Sequence, residues 1–214
     1  MKITAFMPIK LHNERCPGKN TRLLGGKPLL AYELESLIAT GLCDDINVFC
    51  SSEDVIPFIP KGVKFVKRPE FLDLPTSNFT QLAEVFTESH DADIYILLHA
   101  TAPFISVDTM CECINAVTSG EYDSAFCAQK IQTFLWQDNK PLNFDAGNLP
   151  RTQDLKPIYE ETSGIYVFKR EVFKNLHRRI GEKPFIKVVS MKESIDIDEE
   201  KDFTIAESVL NVDF

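Results

Sequence analysis

Two groups of residues have the types and spacing that phosphate chemistry needs. The first runs from Lys10 to Lys27 and sets five cations, Lys10, Arg15, Lys19, Arg22 and Lys27, against one acid, Glu14, in eighteen residues of a chain whose formal net charge is -9. It follows a short apolar run at 3–8 and leads into a helix-like stretch that begins at Leu29. A strand, a Gly/Pro/Lys-rich loop and a helix N-terminus bring backbone N–H groups, a helix dipole and mobile cations to one place, as polyphosphate binding requires. The spacing GxxxxGK[ST] is absent, so this loop is not of the Walker type. The second group is Ser194-Ile195-Asp196-Ile197-Asp198, followed by Glu199 and Glu200. Read as a strand that opens a helix, it points Asp196 and Asp198 to one face at a sheet end. Such a pair can hold Mg²⁺, which takes one or two carboxylates and completes its shell with phosphate oxygens and water. The competing reading is that Asp198 caps the following helix, with Glu199 and Glu200 favouring its dipole. Taken together, the two groups describe a nucleoside triphosphate held by loop cations and Mg²⁺ and attacked at phosphorus, with catalysis by positioning and charge neutralisation.

The elements that must position these residues follow an alternating pattern. Apolar runs at 3–8, 47–51, 63–67, 92–98, 124–129 and 164–168 read as strands, and 29–40, 77–90, 106–119 and 199–210 as helices. That alternation implies an α/β chain with a mostly parallel sheet and helices on both faces. Ligands then sit at the carboxyl ends of the strands, so the loops after Pro8, Cys50 and Leu98 are expected to share one crevice. The segment 131–158 breaks the rhythm with turn residues and the aromatics Trp136 and Phe144. It reads either as a subunit contact or as a packed surface loop.

Other polar residues fall in the same loops. Ser51 and Ser52 either satisfy a base or ribose or cap a helix. His99, at a strand end, either bonds a neighbouring loop or touches an acceptor or its proton. Arg151, Gln153 and Asp154 either reach an anionic acceptor, possibly across subunits, for which a forked guanidinium is suited, or hold their own segment by ion pairs. Tyr159 and Tyr166 are either rim and core aromatics or ligand contacts. Composition limits the partners. A chain with 32 acids against 23 Lys and Arg lacks the basic face of a nucleic-acid binder. Its apolar runs are about half of the roughly 20 residues a membrane span requires, and no leader with a small-residue cleavage site is visible, so a cytoplasmic protein is expected. The six cysteines show no paired CxxC spacing and are expected as buried thiols, not as zinc ligands.

In order along the chain, these residues carry a resemblance. The run 8–28, with Pro17-Gly18-Lys19-Asn20 and Gly26-Lys27-Pro28-Leu29-Leu30, resembles the signature of the acylneuraminate (CMP-sialic acid synthetase-like) cytidylyltransferase family. Cys50-Ser51-Ser52-Glu53-Asp54 stands at its VSTDD-like turn, Arg68-Pro69 at its RP element and Leu97-Leu98-His99-Ala100-Thr101-Ala102-Pro103 at its LLQPTSP. Arg151, Gln153, Asp154, Tyr159, Gly164 to Tyr166 and the Asp196/Asp198 pair follow in the family's order. The resemblance implies a three-layer α/β/α Rossmann-like nucleotidyltransferase over 1–214, with a protruding dimerisation arm at about 131–158. It implies Mg²⁺-dependent transfer of CMP from CTP to an anionic acceptor, most simply a nonulosonic-acid-like sugar, with release of pyrophosphate by a homodimer. Carried over by position, Lys10, Arg15 and Lys19 serve catalysis. Pro8, Lys10, Asn13, Lys19, Asn20, Ser51 and Ser52 hold the nucleotide. His99, Arg151, Gln153, Tyr159, Thr162 and Tyr166 hold the acceptor, and Asp196 and Asp198 the metal. The sequence departs from the pattern at Asn13-Glu14-Arg15, where the family has SKG, and at His99, Ile105 and Thr162, where it has Gln, Arg and Asn. Those changes leave room for a phosphate or phosphonate acceptor, or for a nucleotide-binding subunit with degraded catalysis.

Overall fold

A computed structural model describes residues 1–212; Asp213 and Phe214, the end of the expected domain, lie outside the described residues. In chain order the elements are β1 (Ile3–Ile9), β2 (Leu23–Leu24), β3 (Lys27–Pro28), α1 (Leu29–Thr40), β4 (Asp45–Cys50), β5 (Lys64–Lys67), α2 (Phe79–Ser89), β6 (Ile94–Leu98), α3 (Val107–Thr118), β7 (Ser124–Ile131), β8 (Trp136–Gln137), β9 (Lys140–Pro141), β10 (Ile158–Lys169), α4 (Arg170–Leu176), β11 (Pro184–Val188) and α5 (Glu200–Val209). Seven strands form one sheet in the order β11-β7-β10-β6-β1-β4-β5. β10 runs antiparallel to both β6 and β7, and the other pairings are parallel. The expected three-layer α/β/α arrangement is the one observed, with β10 as its antiparallel member.

The layers follow from side-chain alternation. β1 and β6 are buried along nearly their whole length, as central parallel strands covered on both faces must be. Ala5, Met7 and Ile9 face a core that takes Leu30, Leu34 and Leu37 of α1 and Met110, Ile114 and Val117 of α3. Phe6 faces the other way, into an aromatic core built with α2 and α4, where its ring stacks on Phe86 with centroids 4.4 Å apart. A third cluster, Cys16, Leu24, Leu29, Ile197, Phe203 and Ala206, packs α5 beneath the cationic loop and so ties the end of the chain to its beginning. The six thiols are free, four of them buried. Among the described residues, no helix is long and apolar enough to cross a membrane.

Two expectations are corrected. Residues 195–198 form no strand: Ile195 and Ile197 alternate with the aspartates, but Ile195 N–H bonds the Lys192 carbonyl in a local turn at 3.3 Å, Ile197 N–H bonds the Thr101 carbonyl at 2.8 Å, and no strand pairing is made among the described residues. The strand expected at 164–168 is the second half of β10, which begins at Ile158 and is broken by a register shift between Glu161 and Tyr166. β11 and the hairpins β2-β3 and β8-β9 carried too little apolar periodicity to be read.

Gly164 sits at that break because no side chain fits there. A Cβ would lie 2.6 Å from Ile105 Cδ1 and 2.9 Å from Cγ1. Ile105, where the family has an arginine, is thus a buried residue packed beneath β10. Gly164→Ala should cost about 1–3 kcal/mol through this overpacking, lowering the melting temperature by about 2–10 °C for a chain of this size. Adding Ile105→Val removes the nearer atom and should recover part of the loss; an unchanged melt of the single variant would refute the packing argument.

Candidate active site

The loop after β1 is held in a tight turn at its centre. Lys19 N–H bonds the Cys16 carbonyl, and Thr21 and Arg22 N–H both bond the Gly18 carbonyl, a geometry that places Gly18 at φ +68°, where glycine carries no Cβ penalty. Asn20 donates its side-chain amide to the Lys10 carbonyl at 2.8 Å and thereby sets where Lys10 leaves the strand. Of the five loop cations, three face a common pocket of about 290 Å³ lined by Lys10, His12, Asn13, Arg15, Lys19 and Asp198. The other two are engaged elsewhere: Arg22 bonds Glu200 and lies over the Phe203 ring, and Lys27 bonds Glu35 and lies over Tyr32. Among the described residues Lys10 has no carboxylate within 4.0 Å, and Asn13 Oδ1 is buried with no hydrogen-bond partner. Both are polar groups poised for a ligand. Pro8 lies within β1 and contributes its position, not a donor.

A second pocket, of about 540 Å³, shares Lys10 and His12 with the first and adds Ser51, Ser52, Lys67 and Asp73. Ser52 caps the 3₁₀ turn that follows it, its hydroxyl accepting from Asp54 N–H. Burial opposes the charge on Asp73, but the Ser51 hydroxyl, Arg68 and Lys10 outweigh it and hold the carboxyl below its usual range. The two rooms lie at the carboxyl ends of β1 and β4.

Asp198 belongs to the first room. Its Oδ1 accepts from Lys19 Nζ at 3.0 Å and its Oδ2 faces Arg15 at 2.9 Å. Lys19 Nζ also donates to the Ile197 carbonyl at 2.7 Å. Burial works against the Asp198 charge, but these two cations prevail and keep its carboxyl below the ordinary value. The helix-cap reading of Asp198 is overturned: the cap of α5 is Glu199, paired with Asp202 in a reciprocal capping box. Asp196, on the other side of buried Ile197, takes the Ser163 hydroxyl on Oδ2 at 2.6 Å, while its Oδ1 is buried without a partner. No group of three or more Asp, Glu, His or Cys side chains converges among the described residues. Asp198 lines the cationic pocket and Asp196, two residues before it, keeps an uncommitted oxygen, a donor set of the kind Mg²⁺ takes, whose remaining positions would be phosphate and water.

Beyond Asp196 the polar line continues to His99, Tyr166 and Arg179. His99 is pushed down to about 4, chiefly by burial and then by the charge of Arg179, so its imidazole is neutral near neutral pH and a weak base there. Its ring lies 5.6 Å from that of Tyr166, whose hydroxyl donates to Glu161 at 2.6 Å. Thr162 is buried at the same place, its carbonyl within 3.2 Å of the Tyr166 hydroxyl and its own Oγ1 without a partner. Two members went unread in the sequence. Glu33 of α1 is fully buried and accepts His99 N–H on Oε2 at 3.1 Å, and desolvation raises its carboxyl well above the usual range. Arg179 stacks over the Tyr166 ring at 3.8 Å. A buried helix glutamate and an arginine just past a helix end give no periodic signal.

Arg151, Gln153 and Tyr159 are not brought to this group within the chain. Arg151 clamps Asp154 through Nε and Nη2 in the exposed 3₁₀ turn Thr152–Asp154, which also holds Gln153, and Tyr159 is exposed on β10 opposite Lys130. All three lie on or beside the 131–158 excursion. There Phe144 contacts Phe134 and Trp136, and Trp136, Leu142 and Leu149 remain 60%, 53% and 64% exposed.

Comparison with known proteins meets this geometry. N-acylneuraminate cytidylyltransferase A of Danio rerio is 23% identical over 215 residues, which cover 96% of this chain and 50% of the relative. CMP-N,N'-diacetyllegionaminic acid synthase of Legionella pneumophila is 27% identical over 233 residues, covering 99% of this chain and 97% of the relative. The chain spans about half the length of the N-acylneuraminate cytidylyltransferases it matches. In fold, it superposes on a CMP:2-keto-3-deoxy-manno-octonic acid synthetase complexed with CTP, with a TM-score of 0.74 at 16% identity over 98% of both chains. The family model described as Cytidylyltransferase matches residues 6–213, from β1 through the cationic loop and the Asp196/Asp198 segment, and the chain therefore belongs to the cytidylyltransferase family.

Proposed function

We propose that the protein transfers CMP from CTP to a hydroxyl of a sugar acid of the nonulosonic type and releases pyrophosphate, in the cytoplasm and as a Mg²⁺-dependent homodimer. The observation that carries the reading is the convergence of Lys10, Arg15, Lys19 and Asp198 on one pocket at the end of β1, with Asp196 leading from it to the His99 end. Lys10 and Lys19 hold the triphosphate, and Arg15, whose side chain is 62% exposed, can turn from Asp198 onto it. Mg²⁺ held by Asp196 and Asp198 would offset charge on the phosphates. The base takes the room beside Ser51 and Ser52. The acceptor enters from the His99 end, its hydroxyl oxygen attacks the α-phosphorus as the hydroxyl proton passes to water, and the bond to pyrophosphate breaks on the far side; positioning and cationic charge supply the rate. Retained Lys19, Asn20, Asp196 and Asp198 speak against a degraded subunit. Exposed Trp136, packed on half-buried Phe144, supports a subunit contact, through which Arg151 and Gln153 would reach the partner's acceptor.

The test is pyrophosphate release from the four nucleoside triphosphates against sugar acids, sugar phosphates and phosphonates, with Mg²⁺. Turnover is expected with CTP and a sugar acid. Equal thermal stabilisation by all four nucleotides would overturn the cytidine assignment, and turnover only with a phosphate or phosphonate would move the acceptor to that class.

A further inference from the structure

The two rooms at the end of β1 share Lys10 and His12 and are furnished differently on either side of them. One sets Lys10, Arg15 and Lys19 against Glu14 and Asp198. The other sets Lys10 and Lys67 against Asp54, Glu70 and Asp73, and adds the Ser51 and Ser52 hydroxyls. An excess of acid disfavours a polyphosphate chain, so the second room suits the uncharged nucleoside end and the first the terminal phosphates. In a nucleoside triphosphate the group that joins those two ends is the α-phosphate, and its phosphorus is the atom attacked. The residues common to both rooms stand where it must lie.

Of the four histidines, three are held by the protein itself. His90 Nδ1 lies 2.9 Å from the Ser89 hydroxyl, His177 faces Glu84 at 3.5 Å, and His99 is buried with its ring bonded to the Ser163 backbone. His12 is exposed, and among the described residues its ring makes no hydrogen bond and no ion pair. The chain just before it is fixed, because the Asn20 amide donates to the Lys10 carbonyl at 2.8 Å. An uncommitted ring N–H is thereby presented at the junction, beside an uncommitted ammonium.

We propose that His12 binds the α-phosphate through a ring N–H and stays with the CMP moiety when the bond to pyrophosphate breaks, whereas Arg15 and Lys19 part with the pyrophosphate. This rests on the proposed function and deepens it by dividing the loop between the two products. The rival is an exposed His12 that only shapes the loop.

A ligand panel separates the two. His12→Leu keeps bulk and removes the donor, and His12→Gln keeps a side-chain N–H. In His12→Leu the dissociation constants of CMP and CTP should rise about 10- to 30-fold, the lower part of the range for a lost hydrogen bond to a charged group, since the donor is exposed. Those of cytidine and inorganic pyrophosphate should stay within about twofold, and His12→Gln should recover most of the loss. Lys19→Met should show the opposite pattern, losing pyrophosphate while CMP changes little. A loss that cytidine shares with CMP moves the contact to the ribose and overturns the α-phosphate role. A loss that pyrophosphate shares, or unchanged CMP affinity, leaves His12 a loop-shaping residue. In each of those outcomes wild-type turnover of CTP keeps the proposed function standing; a wild type that binds neither CTP nor CMP overturns both.

Discussion

Asp198→Asn is expected to lower kcat for pyrophosphate release by about a hundred- to a thousandfold, the scale seen when one preorganised charge contact to a transition state is removed, in a protein that still folds. The substitution keeps size and one acceptor oxygen, so Lys19 Nζ retains the Ile197 carbonyl and an amide oxygen in place of the carboxylate. What disappears is the negative charge that two cations face at 2.9 and 3.0 Å, and with it a metal ligand. Circular dichroism should be unchanged, and the stabilisation that Mg²⁺ adds to the CTP-bound protein should vanish, a readout independent of turnover. Activity within tenfold of wild type would end the metal assignment. The pH dependence carries a sign. The Asp198 carboxyl titrates below its unfolded value in the folded chain, so its ion pairs add stability above the unfolded pKa of about 3.9, and lose it as pH falls through the lower folded value. Asp198→Asn and wild type should therefore differ in melting temperature at neutral pH and converge on acidification.

The parts of this site differ in how far a reader of the sequence can reach them. The cationic loop and the aspartate pair are local patterns, and local patterns survive without a fold. Their contact does not: Lys19 and Asp198 are 179 positions apart, and what joins them is the packing of Cys16 and Leu29 against Ile197 and Phe203, a long-range choice no periodicity reports. The same packing explains the false strand at 195–198. Burial of alternate residues imitates β periodicity, here produced by Ile197 inserting under the loop without a strand beside it. Glu33 was invisible for the opposite reason. On a helix whose other glutamate, Glu35, is exposed and paired with Lys27, it reads as one more solvated charge, whereas the His99 backbone N–H draws it into the interior. The loop's charge count also overstates its reach, because Arg22 and Lys27 are held by the protein's own acids and aromatic rings.

Lys19→Met should produce the largest loss of nucleotide affinity of any single change, and it separates the binding role of the loop from its structural one. Lys19 is 8% exposed, so its ammonium is fixed by the fold before any ligand arrives. Methionine matches its length and fills the same space, which leaves packing intact while removing the charge. Two consequences follow with different readouts. Asp198 keeps only Arg15, a mostly exposed partner, and the Ile197 carbonyl loses its donor, so the unliganded protein should be less stable by about 2 kcal/mol, the scale of a lost hydrogen bond to a charged group. Independently, a pocket lined by three cations and the acids Glu14 and Asp198 keeps only two cations, with Arg15 still held by Asp198, so the triphosphate loses the excess of positive charge that it met in the wild type. CTP affinity should fall by about 100- to 1000-fold, the scale of two to three charge-assisted hydrogen bonds, seen as the loss of the thermal shift that CTP gives the wild type. Lys19→Arg tests whether charge alone suffices: a planar fork cannot reach the Ile197 carbonyl and Asp198 Oδ1 from one nitrogen as the ammonium does, so it should restore charge without restoring the shift. If Lys19→Met bound CTP as wild type does, the buried lysine would be a strut for the aspartate segment, and Lys10 and Arg15 would carry the phosphates alone.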